Sequence, residues 1–309
     1  MLLLAILLLI GNIEPNPGPP TKAHLKKRIQ ILQATNSAID YTFKSSFLAS
    51  HNQGDLKRYG PLAGNQCCCN SLVALTILPK ISTINSKVLD DILYDGDVLY
   101  KFLKRSPQAN KDDLRLEFHE LPTALTLRDV NYSFSLMDRY YARYDEETNK
   151  DSSAVFIPIE NALHNSFSKS DKMLVMVGEY AICLYFSSGF YFAFDPHARN
   201  ASGLPKDDGK SVLLQFSDFS NTLKYLKSLR AVCTNSTNPT IQFQPISVKI
   251  LDASHSTGNE NNYFESYLKD QEGKHRDKLQ TKKTYAEVLS TPQTRNTNDE
   301  FTCTLKTMN

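Results

Sequence analysis

Apolar positions recur with a helical period in the first half of the chain and fall into short, strand-like runs in the second half. SKVLDDILYDGDVLYKFLKR (86–105) sets Leu89, Ile92, Leu93, Val98, Leu99 and Leu103 on one side, which predicts an amphipathic helix. Just ahead, NSLVALTIL (70–78) also has helical character, with Asn70 or Ser71 available to cap it. Strands are predicted for AVFIPI (154–159), KMLVMVGEYAICLYF (172–186), GFYFAFDPH (189–197), SVLLQF (211–216) and TIQFQPISVKIL (240–251). FSNTLKYLKSLRAV (219–232) is helix-like between the last two. Helices early and antiparallel strands late predict an α+β domain around one sheet.

The two ends depart from this pattern. MLLLAILLLI is too short to span a bilayer, so no stable membrane span is expected. It lacks the basic residues that precede a signal-peptide core and the small-residue cleavage site that follows one. Glu14, Asn16, Pro17, Gly18 and Pro19 come next, and this ending resembles the 2A-like ribosome-skipping peptides, although Asn12 stands where that family has Asp. The resemblance implies a break between Gly18 and Pro19. Leucine-rich leaders of this kind are similar to those of non-LTR retrotransposon open reading frames, some of which act as signal sequences. From residue 252 the chain is polar with charges of both signs, too poor in apolar surface to offset its ordering entropy. KTYAEVLSTP, within it, is a candidate docking motif. The expected organisation is a leader (1–18), a helical lead-in (19–40), one domain (41–251) and a disordered tail (252–309).

Composition narrows the function. Hydrophobic residues make up 41% of the 309, enough for a real core, and the net charge of +2 gives no general affinity for polyanions. No zinc-type pairing of CxxC motifs and no Gly-rich phosphate loop occurs, so neither a metal, a cofactor nor nucleic acid is expected. The six cysteines are too few and too clustered for a secreted disulfide scaffold, which points to reduced thiols in the cytoplasm or nucleus. A secretory route stays open if the leader acts as a signal sequence. The sequons at Asn131, Asn200 and Asn235 matter only in that case.

Cys67, Cys68 and Cys69 stand in a row where a helix begins. Buried cysteine behaves as a small hydrophobe, and three could be helix-entry packing. At a helix N-terminus, however, a thiol feels the positive end of the dipole and is pushed toward the reactive thiolate. Gly64 just ahead permits close backbone approach. Backbone N–H groups at the same place can hold an oxyanion. Asp195 and His197 lie two apart on a strand, where a carboxylate can orient an imidazole on the same face. Pro196 between them places the pair at a strand end or edge; Asp-Pro-His-Ala is also good turn chemistry. These residues alone support a cysteine acyl hydrolase. His51, two residues before Gln53, could line a cleft, but it reads first as a solvated loop histidine.

A Gln some fourteen residues before a G-x-Q-C-x-x-N-S helix start, then a distant Asp-Pro-His, resembles the herpesvirus large-tegument ubiquitin-specific cysteine proteases. The resemblance covers roughly residues 45–200 through three short anchors. It implies a papain-like fold, with the nucleophile on a helical part and the His and Asp on a mainly antiparallel sheet. By motif it assigns the nucleophile to Cys67, which follows Gln66 and precedes Asn70 by three. His197 and Asp195 complete the triad, and Gln53 contributes to the oxyanion hole. The implied partner is ubiquitin or a ubiquitin-like protein, cleaved after its C-terminal Gly-Gly by a monomer. The chain departs from the family in its 2A-like leader, which makes a mobile-element or virus-derived relative the economical explanation. The alternatives are a catalytically dead ubiquitin-binding module and a retrotransposon accessory protein that binds nucleic acid.

Overall fold

A computed structural model of the chain describes residues 40–105, 113–143, 156–233 and 240–251. The leader, the Gly18–Pro19 junction, the lead-in up to residue 39 and the tail with its KTYAEVLSTP motif lie outside them. The first elements are β1 (Ser45–Leu48), a single helical turn α1 (Leu56–Tyr59), and the two helices α2 (Cys67–Ile77) and α3 (Ser86–Arg105). Four strands follow: β2 (Ala124–Leu127), β3 (Val130–Leu136), β4 (Tyr140–Arg143) and β5 (Phe156–Pro158). Then come α4 (Ile159–Lys169), β6 (Lys172–Val177), β7 (Tyr180–Ser187), β8 (Phe190–Arg199), β9 (Lys210–Phe216), α5 (Phe219–Cys233) and β10 (Ile241–Ile250).

Among the described residues these ten strands form one sheet in the order β1-β9-β8-β7-β6-β10-β3-β2, with β4 on β10 and β5 on β4. Every pairing is antiparallel except β4 with β5. Alternation along the central strands sorts their side chains onto two faces. Cys183, Tyr185, Phe194 and Leu213 pack with α2 and α3. Ile182, Leu184, Ala193 and Leu214 pack with α4 and α5. Helix α2 lies between α3 and the sheet, which is why ten of its eleven residues are buried.

The periodicity of α3, the run of β9 and the extended β10 match the expectation from sequence. The run 172–186 is two strands, split by a hairpin turn where Gly178 takes φ +61°. Only 156–158 of the run AVFIPI is described as strand; Ile159 opens α4, whose Ile159, Ala162, Leu163 and Ser166 are buried at helical spacing. Asn70 and Ser71 do not cap α2. The helix begins at Cys67 with Gln66 in the capping position and no side-chain cap, and both residues are buried within it. No helix among the described residues is long and apolar enough to cross a membrane.

Candidate active site

Two elements meet at the site, the start of α2 and the far end of β8. Pairing of β8 with β7 stops where Cys183 faces Phe194, although β7 itself runs on to Tyr180. On the other side Asp195 pairs Val212 and Arg199 pairs Lys210, so four steps along β8 oppose two along β9. This bulge re-aims the side chains there. Pro196 therefore sits within the strand rather than at its end, in a stretch that is no longer paired with β7 and so has no ladder bond that would need the N–H proline lacks. The Pro196 carbonyl accepts from Gln53 N–H (2.9 Å) and from the Ser211 hydroxyl (2.7 Å). One carbonyl thus ties the loop carrying Gln53 to the strand carrying Asp195 and His197.

The structure brings Cys67, His197 and Asp195 into one line. His197 Nδ1 lies 2.7 Å from Asp195 Oδ1, which also accepts the His197 backbone N–H at 2.9 Å. His197 stands close enough to Cys67 for each to shift the other's protonation. The Cys67 pKa falls well below the ordinary thiol value. The Cys68 thiol beside it is the largest cause; burial opposes the shift, and His197 and the Ala181 backbone add to it. His197 is raised: burial opposes this, and the charge and hydrogen bond of Asp195, with Cys67, outweigh it. Asp195 has no exposed surface, yet its pKa is held down at about 2, because Arg199 and His197 outweigh the cost of burial. A thiolate facing an imidazolium is the favoured state of such a set.

Gln53 is buried, and its amide is held at both ends. Its Nε2 donates to the Gly64 carbonyl (3.2 Å), and its Oε1 accepts from Asn70 Nδ2 (3.0 Å). Gly64 takes φ +92°, a turn that a side chain would strain. Behind Asn70 stands Gly96 of α3. A Cβ there would lie 2.0 Å from Asn70 Oδ1 and 2.7 Å from its Cα, so only glycine lets the helices approach this closely. One residue on, Asp97 accepts from Gln66 Nε2 (3.0 Å) and pairs with Lys101 (2.5 Å). Gly96, Asp97 and Arg199 escaped the sequence reading. A glycine amid a strongly amphipathic helix, and an arginine two beyond the Asp/His pair, were the available signals.

Cys68 and Cys69 are fully buried. Cys68 donates to the Leu116 carbonyl (2.9 Å), and its pKa is pushed up, first by Cys67 and then by burial. Burial likewise raises Cys69. The five described cysteines are free thiols, and no cluster of three or more metal-type ligands occurs among the described residues. His51 is not a solvated loop residue. Its side chain is mostly buried, with Nε2 2.6 Å from the Tyr59 hydroxyl and Nδ1 3.3 Å from Asp90. It braces the loop that carries Gln53.

Among solved structures, the fold is similar to that of the ubiquitin-specific protease encoded by murine cytomegalovirus tegument protein M48, solved in complex with a ubiquitin-based suicide substrate. The two share 20% identity and a TM-score of 0.56, over 69% of this chain and 89% of that one. This likeness agrees with the expected papain-like α+β fold. No curated protein matches the sequence. Residues 48–253 match the family described as herpesvirus tegument protein, N-terminal conserved region. That span takes in both halves of the site and more than half of the chain, which belongs to this family.

Proposed function

We propose that the chain is a deubiquitinase of the cysteine-protease type, with Cys67 as nucleophile, His197 as general acid and base, and Asp195 holding the imidazole. The placement of Cys67, at the start of a buried helix, beside a His197 that is hydrogen-bonded to Asp195 carries this reading. In the forward step the Cys67 thiolate attacks the carbonyl carbon of the last Gly in the C-terminal Gly-Gly of ubiquitin. The oxyanion is held by backbone N–H groups at the start of α2 and by Gln53, whose amide nitrogen has a second hydrogen beyond the one given to Gly64. His197 passes its proton to the leaving amine, and a thioester remains. His197 then takes a proton from water, which attacks the thioester and frees Cys67. Cys67 is only 8% exposed, which favours a substrate tail with no side chains at the scissile bond. Family membership and the ubiquitin-bound relative supply the substrate class.

The test is labelling of the full chain by ubiquitin carrying a C-terminal electrophile, beside Cys67→Ala, Cys68→Ala and Cys69→Ala. An adduct lost only in Cys67→Ala is the expected result. Loss in Cys68→Ala alone would move the nucleophile. A folded wild type that binds ubiquitin without forming an adduct would be a dead binding module, and one that ignores ubiquitin altogether would remove the substrate class.

For the leader we propose skipping between Gly18 and Pro19, so that the chain starting at Pro19 acts in the cytoplasm or nucleus. Cell-free translation behind a reporter would show two products if this is right and one fused product if it is not.

A further inference from the structure

We propose that Arg199 is a positioning residue of the reaction, acting through Asp195 to keep the carboxylate ionised and turned toward His197. This rests on the triad reading above. The geometry divides the carboxylate between two partners. Oδ1 takes both contacts from His197, and Oδ2 takes Arg199 Nε at 2.6 Å. The two contacts fix the plane of the carboxylate, so its rotation cannot swing Oδ1 off the imidazole.

The site needs a cation there. Asp195 has no exposed surface, and an isolated buried carboxylate takes up a proton rather than stay charged. A protonated Asp195 would orient His197 but would not stabilise the imidazolium. Arg199 is itself only 3% exposed, and its Nη2 finds no hydrogen-bond partner among the described residues. A buried guanidinium with an orphan nitrogen is a poor stability device, which argues that the ion pair serves the carboxylate. The bulge supplies the reach by placing Asp195 and Arg199 on a distorted stretch that regular pairing would keep straight.

The other groups that face this pair are Tyr41, Tyr225, Cys233, Cys183 and the ring of Tyr180. Burial raises Tyr41, Tyr225 and Cys183 above their ordinary values, so none of these three supplies charge at neutral pH. Arg199 is then the cation that sets the state of Asp195 from behind, as His197 does from the front.

The experiment measures alkylation of Cys67 by iodoacetamide against pH, beside hydrolysis of a ubiquitin C-terminal amide. Both use the full chain and the variants Arg199→Met, Arg199→Lys, Asp195→Asn and the Asp195→Asn/Arg199→Met double. Alkylation needs no ubiquitin, so failure of the substrate reading leaves it intact. Arg199→Met is expected to lose about tenfold to a hundredfold in kcat/KM, the range seen when an outer partner of a metal-bound histidine is removed. The acid limb of its alkylation profile should move to higher pH, because Asp195 loses the charge that holds its pKa down. Arg199→Lys should restore the limb in part. In the Asp195→Asn background the same Arg199→Met change should cost far less, as expected of residues that act as one unit.

Equal loss in both backgrounds would overturn the proposal. So would an unchanged alkylation profile in a folded Arg199→Met protein. If Arg199→Met does not fold, Arg199→Lys and the double variant, which leaves no lone buried charge, decide by the same two criteria.

Discussion

The two halves of the site are built behind the same kind of support but from different physics. On the helix side, α3 presses Gly96 and Asp97 against the start of α2 and holds two neutral amides, Gln53 through Asn70 and Gln66 directly. On the strand side, Arg199 holds a group that is itself charged. Neutral amides need only direction, so close helix packing and single hydrogen bonds suffice. A carboxylate with no exposed surface needs its charge sustained as well, so the strand side carries a buried counter-ion. Defects in the first half should therefore weaken geometry and leave the pH dependence alone. Defects in the second should change which protonation states exist.

The largest expected effect lies on the strand side. Asp195→Asn should lower turnover by on the order of 10⁴-fold, as in serine proteases that lose the equivalent carboxylate. It should also cost about 3–5 kcal/mol of stability, because Arg199 is left buried and unpaired. The pH signs follow from the shifts. Asp195 titrates at about 2 when folded, below its ordinary value, so its stabilisation is present above that ordinary value and is lost as pH falls toward 2. Acid titration of stability should be flatter in Asp195→Asn. In the wild type, the thiolate–imidazolium pair exists between the lowered Cys67 and the raised His197 values. The upper end of that window should fall in the variant, because His197 loses the charge that raises it. An unmoved window would put the two halves on the same footing.

Gln53→Ala is the matching change on the helix side. It should reduce kcat by about 10²–10³, the cost of one oxyanion donor. Loss of the Gln53 acceptor also leaves Asn70 Nδ2 unpaired, worth about 1–3 kcal/mol. Its alkylation profile should match the wild type. Gly96→Ala comes next, with a Cβ pressed on the Asn70 backbone. Overpacking should cost about 1–3 kcal/mol, partly offset by the roughly 1 kcal/mol that alanine gains in a helix. A lower kcat is expected with it, since Asn70 is displaced from Gln53. Destabilisation with unchanged kcat would separate Asn70 from the placement of Gln53.

What could be read ahead of the structure divides along the same line. The helix start at Cys67 and the pairing of Asp195 with His197 were legible because each sits in a local motif, and α3 because Leu89, Ile92, Leu93 and Val98 repeat at helical spacing and are all buried. The supports were not legible. Gln66 and Asp97 are 31 residues apart, and Asn70 meets Gln53 across 17, distances over which a single sequence carries no pairing signal. Asn70 looked like a cap because asparagine favours caps, but tertiary contact with Gln53 overrides that preference. Helix α4 was hidden by a strand-like lead, FIP, whose apolar run continues into Ile159. The bulge at Pro196 left no trace beyond the proline.

The smallest effect tests the comparison most finely. Lys101 stands to Asp97 much as Arg199 stands to Asp195, a cation on a carboxylate that braces the site. The Lys101 side chain is 28% exposed, however, against 3% for Arg199. Water can take the place of Lys101 beside Asp97 where the lysine leaves it. Lys101→Met should cost under about 1 kcal/mol in thermal or denaturant unfolding, the scale of a solvent-screened pair. The Gln66 contact should survive, because Asp97 Oδ1 accepts it while Lys101 takes Oδ2. Turnover and the Cys67 alkylation profile should then be unchanged. A shifted profile in Lys101→Met would mean that the charge of Asp97 reaches the thiolate through α2. The helix half would then tune protonation as the strand half does, and the contrast between a support that gives direction and one that sustains charge would fail.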